Sequence, residues 1–152
     1  RHLVGGTTGE QAAADPVLQD LLGLCEPGYE RERIEQFLIE SLVLVPAGAR
    51  LIAAADPGVG EVLQHSQELA DQGLRNQVPQ TRLMVSLARE MGAVGASSFG
   101  AGWGGSVYAL VPTDDAEDFA SQWLQAYRDR EQEAEHASTI VTRPGTGAYR
   151  PL

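Results

Sequence analysis

Five glycines fall between Gly95 and Gly105 in the run Gly95-Ala96-Ser97-Ser98-Phe99-Gly100-Ala101-Gly102-Trp103-Gly104-Gly105-Ser106. The apolar stretch Val107-Tyr108-Ala109-Leu110-Val111 follows at once. Glycine reaches positive φ at little steric cost and lets a backbone come close to a ligand. Successive backbone N–H groups in such a loop can form a concave nest for an anion. The hydroxyls of Ser97, Ser98 and Ser106 could add donors to that nest. Ordering so much glycine is costly, so a special backbone shape is expected here. The competing reading is a hairpin whose glycines serve packing alone.

Two familiar phosphate loops share some of these letters. Gly100-x-Gly102-x-x-Gly105 matches the dinucleotide-binding fingerprint, but that fingerprint follows a strand and opens a helix. Here a strand follows. The same letters with Val107 match the glycine-rich hairpin of protein kinases. No lysine follows, and neither an H-R-D nor a D-F-G segment occurs. Indeed all 11 basic residues are arginine, which excludes a P-loop lysine and a Schiff-base lysine within this chain.

Composition narrows the function classes. The chain has 152 residues, 43% of them hydrophobic, enough for one packed domain. Its formal net charge of −10 argues against nucleic acid or an anionic membrane surface as partner. Cys25 is the single cysteine, so neither an internal disulfide nor a cysteine zinc site can form. A cytoplasmic location is expected, with no apolar run long enough to span a bilayer. The chain starts at Arg1 rather than Met, as a fragment would. His2, His65 and His136 are scattered, and no metal ligand set or catalytic residue is assigned.

The elements that must hold the loop follow from periodicity. Residues 1–29 read as a lead-in loop and a short helix, Pro16 to Gly23, with proline at its first position. Residues 30–152 read as the main domain. Tyr29 to Ala55 is helical, with Ile34, Phe37, Leu38, Ser41, Leu42 and Val45 as its apolar stripe and Pro46 expected to kink or split it. Val59 to Gln72 is a second helix, and Val78 to Met91 a third that stops at Gly92. Ala93 to Phe99 and Ser106 to Pro112 read as strands. Thr113-Asp114-Asp115 caps a helix expected to run to about Ala137, with Ala116, Phe119, Ala120, Trp123, Leu124 and Tyr127 inward. Ser138 to Thr142 is expected as a further strand, and Ala148 to Leu152 as an edge strand. Helices first, then strands around one helix, favour an α+β fold with a small antiparallel sheet packed with helices. Arg75 and Asn76 lie in a polar loop, as local caps or as an anion contact. Trp103 either anchors the hairpin in the core or walls a cleft.

The stretch Ala96 to Ser106 resembles the third motif of the GHMP kinases, closest to galactokinase and galactokinase-like sugar kinases. Their pattern runs small residues, then Gly-x-Gly-Phe-Gly-Gly, then a small residue and a hydrophobic strand. Trp103 stands at the usual Phe, and Phe99 stands where many relatives carry Thr. Leu74-Arg75-Asn76-Gln77-Val78-Pro79-Gln80-Thr81 resembles the segment ahead of that motif, and Arg143-Pro144-Gly145-Thr146-Gly147-Ala148 the family's closing strand. The likeness covers roughly residues 30–152.

The resemblance implies a C-terminal domain of ferredoxin-like arrangement. It implies a complete enzyme that transfers the γ-phosphoryl of ATP, with Mg²⁺, to a monosaccharide hydroxyl. The phosphate loop and catalytic Asp of such kinases lie in an N-terminal domain, and none of its motifs occurs here. That domain, a sugar and ATP are thus the implied partners, and the fragment alone should be silent and able to self-associate. Ser97, Ser98, Gly100, Ala101, Gly102, Trp103, Gly104, Gly105 and Ser106 are the implied cleft-lining loop. The alternatives are a non-enzymatic sensor or interaction module on the same scaffold, and a uronic-acid or arabinose kinase.

Overall fold

The computed structural model describes residues 16–145, apart from residues 25, 133 and 144. Helix α1 spans Pro16–Gly23 and α2 spans Tyr29–Ala53. Helix α3 covers Val59–Leu69, α4 Pro79–Glu90 and α5 Ala116–Arg128. Strands β1, Gly95–Phe99, and β2, Ser106–Leu110, pair antiparallel with Ser97 opposite Tyr108 and Phe99 opposite Ser106. The architecture is α+β with a two-stranded sheet among the described residues.

Register divides the sheet into two faces. Ala96, Val107 and Ala109 pack with Val85, Leu87 and Ala88 of α4 and with Trp123 and Tyr127 of α5. On the other face α3 lies close over β1. A Cβ on Gly60 would stand 1.8 Å from the Val94 carbonyl oxygen, and one on Gly95 would stand 2.8 Å from the Gly60 Cα. Two glycines thus let a helix backbone touch a strand backbone. A second core joins Leu22 of α1, Ile39 and Leu44 of α2, and Val62 of α3.

Helix α2 departs from the sequence reading. Residues Glu40–Leu44 form a π turn, in which the Val45 N–H reaches the Glu40 carbonyl. The turn comes just before Pro46, whose missing N–H would otherwise break the ladder. It also adds one residue to the spacing. Ile39 and Leu44, five apart, are both buried, while the expected Phe37, Leu42 and Val45 are exposed. A stripe counted at 3.6 residues per turn cannot carry across such an insertion.

By length and composition α2 is long and apolar enough to cross a membrane, contrary to the expectation that no such run exists. Its charges cluster in the first turns, which leaves a long apolar remainder. That remainder packs Ile39 and Leu44 against α1 and α3.

Two expectations near the C-terminus are corrected. Helix α5 stops at Arg128, well short of Ala137. The charged run after it offers no apolar stripe. Ala134 folds back into the core within a short 3₁₀ turn, Ala134–His136, and the Arg128 guanidinium donates to the Ala137 carbonyl at 2.8 Å. Residues 138–142 are not a strand: the segment pairs with neither β1 nor β2, and Ile140 is 88% exposed. Alternating β-branched residues supply propensity, but a strand needs a partner edge. The expected edge strand at Ala148 to Leu152 lies outside the described residues, as does His2.

Candidate functional site

The glycine loop joins β1 to β2 and holds an uncommon backbone. Gly100, Gly102, Trp103, Gly104 and Gly105 all have positive φ, at 92°, 87°, 56°, 110° and 99°. Only glycine adopts most of these values readily, and Trp103 is in the left-handed region that non-glycine residues rarely occupy. The packing interpretation therefore does not account for the glycines at Gly100, Gly104 and Gly105: a Cβ at any of them would meet nothing within 4 Å. Their requirement is conformational. Gly102 is different, because its missing side chain makes room for Asn76.

Asn76 clamps the loop. Its backbone carbonyl accepts the Trp103 N–H at 2.6 Å, and its Nδ2 donates to the Ala101 carbonyl at 3.3 Å. Arg75, in the left-handed conformation at φ 54°, turns the chain out of the π turn Ala70–Leu74 and so aims Asn76 at the loop. The Arg75 side chain is engaged elsewhere, paired with Glu32 and set over the Tyr29 ring at 5.8 Å. Proline at the first position of α4 and the Thr81 hydroxyl, which accepts the Val78 N–H at 3.2 Å, fix the segment's other end.

Beneath the clamp lies a set of buried polar side chains: Gln67, Asn76, Gln77, Thr81 and Ser97. Gln77 donates to Asn76 Oδ1 at 2.8 Å, and Gln67 donates to Gln77 Oε1 at 3.0 Å. Gln67 Oε1 accepts the Ser98 backbone N–H at 2.8 Å and the Ser97 hydroxyl at 3.1 Å. Among the described residues no buried side-chain polar atom is left without a partner. Gln67 is two turns beyond Gly60 on α3, about 10 Å along the helix. The contact between Gly60 and Gly95 thus delivers it over Ser97 and Ser98, about the same distance along β1.

The expected site residues fall into two groups. Ser97 is 3% exposed and its hydroxyl points inward to Gln67, so it is part of the loop's support rather than a donor toward a ligand. Gly100, Ala101, Gly105 and Ser106 are exposed, and Ser98, Gly102 and Gly104 are half-buried. Among the described residues, Trp103 is the only member of Gly100 to Gly105 whose backbone N–H is given to a protein carbonyl. Trp103 is 67% exposed, which removes the core-anchor reading of its side chain. Phe99 is also exposed and stacks at a tilt on Tyr108, 5.9 Å between ring centres. On the same face Tyr108 is held neutral to higher pH than a free phenol, by burial first and then by the Glu40 carboxylate, against a smaller opposing effect of the Ser97 hydroxyl. Sequence reasoning missed Gln67 and the roles of Asn76 and Gln77. No local signal sets these three apart from surface polar residues.

Chemically the loop offers uncharged N–H donors to an anion and no acid or base. That donor set fits the phosphate side of a nucleotide. Among the described residues no group of three or more His, Cys, Asp or Glu that could hold a metal ion is brought together.

An α+β domain with a glycine-rich hairpin of this form agrees with what comparison finds. Residues 52–129, which include Gln67, Asn76 and the whole loop, match the family described as GHMP kinases C terminal. The chain belongs to that family. It is similar to the galactokinase of Mycobacterium tuberculosis strain H37Ra, 27% identical over 145 residues, which covers 95% of this chain and 40% of the galactokinase. The galactokinase of strain H37Rv gives the same figures. Galactokinase of Mycobacterium bovis BCG Pasteur is 30% identical over 115 residues, covering 76% of this chain and 31% of that protein. The chain therefore spans two fifths or less of the length of these curated relatives.

Proposed function

We propose that this chain forms one wall of the cleft of a galactokinase-like sugar kinase, with the glycine loop facing the phosphates of ATP. The observation that carries the reading is the cluster of positive φ values at Gly100, Gly102, Trp103, Gly104 and Gly105, where only the Trp103 N–H is given to a protein carbonyl. Phosphoryl transfer asks the protein chiefly for positioning and charge stabilisation. Fixed backbone donors supply the second without reorganising as charge develops. ATP would bring its phosphates to the faces of Gly100, Ala101, Gly104 and Gly105, and Mg²⁺ would neutralise their charge. The catalytic base, the phosphate-loop partner and most of the sugar contacts would come from an N-terminal domain like that of the longer relatives. Family membership and the galactokinase likeness support a monosaccharide as acceptor, with galactose the first candidate.

The test is reconstitution. The chain is fused to, or mixed with, the N-terminal half of a mycobacterial galactokinase, and ATP-dependent phosphorylation is followed across a panel of monosaccharides. Turnover on galactose or a related sugar is expected, with none from the chain alone. Absence of turnover on every sugar by a folded, associated pair would count against the reading.

A further inference from the structure

The three buried amides beneath the loop form a one-way chain. The Ser98 N–H donates to Gln67, Gln67 to Gln77, Gln77 to Asn76, and Asn76 to the Ala101 carbonyl. Each side chain offers its oxygen to the donor behind it and its NH₂ to the acceptor ahead. Both ends of the chain are backbone groups of one segment: the strand that enters the glycine loop and the loop's own apex. We infer that Gln67, Gln77 and Asn76 are positioning residues that set the shape of the glycine loop, and through it the direction of its backbone N–H groups. The inference rests on the proposed phosphate-facing role for what that shape serves, but the shape itself is independent of it.

Three features favour positioning over simple core filling. First, direction is enforced, because turning any one amide around would set donor against donor or oxygen against oxygen in a buried place. Second, an apolar cluster of the same volume would fill the space without these bonds and would hold neither Ser98 nor Ala101. Third, the chain ends at Ala101, two residues before the strained point. A tryptophan in the left-handed region persists only where its surroundings hold it, and the Trp103 N–H is held by the backbone carbonyl of Asn76, the last amide residue of the hydrogen-bonded chain, at 2.6 Å. The backbone of Gly104 and Gly105 then continues from a fixed Trp103.

The chain contains two tryptophans, and they report on different places. The Trp103 amide reads the loop. The Trp123 indole N–H, which donates to the Met84 carbonyl at 3.0 Å, reads the core. Hydrogen exchange of both is followed by NMR in the wild-type chain and in Gln67→Glu, Gln67→Leu and Asn76→Ala. In Gln67→Glu at pH 8 a carboxylate oxygen faces Gln77 Oε1. Exchange at Trp103, corrected for the intrinsic pH dependence, is expected to rise about tenfold, the scale of one lost net hydrogen bond. Exchange at Trp123 is expected to hold. At pH 5 protonation of the buried carboxyl restores a donor, and protection at Trp103 should return toward wild type. Gln67→Leu should show the loss without the recovery.

Asn76→Ala lies at the loop end of the chain and removes the bond to Ala101. It keeps the test in force if the Gln67 variants fail to fold. Unchanged Trp103 exchange, or equal changes at Trp103 and Trp123, would overturn the inference. The readout needs only this chain, so failure to phosphorylate any sugar would leave its outcome standing.

Discussion

Asn76 occupies the space that a side chain at Gly102 would need: a Cβ there would stand 2.4 Å from Asn76 Nδ2 and 2.6 Å from Asn76 Cβ. The loop's central glycine and its clamp are thus two halves of one fit. Gly102→Ala must push Asn76 aside and also accept a φ of 87°. It should weaken the loop by about 2–3 kcal/mol, the sum of overpacking and backbone strain. Gly104→Ala meets nothing within 4 Å and bears the φ penalty alone, about 1–2 kcal/mol. Exchange at the Trp103 amide in the two variants measures the difference. Equal effects would show that Asn76 yields freely.

How much of this was legible in the sequence differs by element. The glycine loop's backbone was, because glycine at Gly100, Gly104 and Gly105 answers to local conformation, and local conformation is written locally. The inward stripe of α5 was, because no insertion disturbs its 3.6-residue period. The outward turn of Leu42 and Val45 was not, since the π turn at Glu40–Leu44 shifts the register by one residue, whereas Phe37 precedes that turn and its exposure is not explained by it. Nor was the clamp. Gln67, Asn76 and Gln77 look like surface polar residues until the contact of Gly60 with Gly95 brings α3 onto β1, and that contact joins residues 35 apart in the chain. The segment 138–142 failed for a related reason: strand propensity is local, but a partner edge is not.

The two tryptophans should part company under substitution. Trp103 is largely exposed, so Trp103→Ala should change global stability by no more than about 0.5 kcal/mol. Trp123 is buried against α4 and its indole donates to Met84, so Trp123→Ala should cost about 3–5 kcal/mol. Urea unfolding of both variants decides it. In the reconstituted kinase Trp103→Ala should still lower turnover, because the side chain stands at the rim of the proposed cleft. A large loss of stability from Trp103→Ala would return that residue to the core.

Two helix glycines carry opposite signs. In α2, Gly48 is buried but a Cβ there would meet only Val62 Cγ1, at an ordinary 3.6 Å. Gly48→Ala should stabilise the protein by about 0.5–1 kcal/mol through helix propensity. In α3, a Cβ on Gly60 would overlap the Val94 carbonyl oxygen at 1.8 Å. Gly60→Ala should cost at least about 3 kcal/mol, since α3 must lift from β1. It should also loosen Gln67 over Ser98 and so raise Trp103 exchange, although Gly60 is far from the loop in sequence. Thermal melts and the Trp103 amide together test this. A Gly60→Ala chain as stable as wild type would contradict the close approach of α3 to β1.

Tyr108 should give the protein a pH limit on the alkaline side. Burial is the main cause of its raised pKa, with the Glu40 carboxylate next. In the unfolded chain the phenol titrates near its ordinary value of about 10. The folded state therefore holds this proton to higher pH than the unfolded state does. Above about pH 10 the unfolded chain has fewer protons bound, so stability falls as pH rises through the folded-state pKa, and the contribution is fully present below pH 10. The chain has no lysine to titrate in the same range. Tyr108→Phe removes the ionisation and keeps the ring against Phe99. Urea midpoints measured from pH 8 to 11 should decline more steeply for wild type than for Tyr108→Phe. Parallel declines would place the alkaline sensitivity elsewhere in the chain.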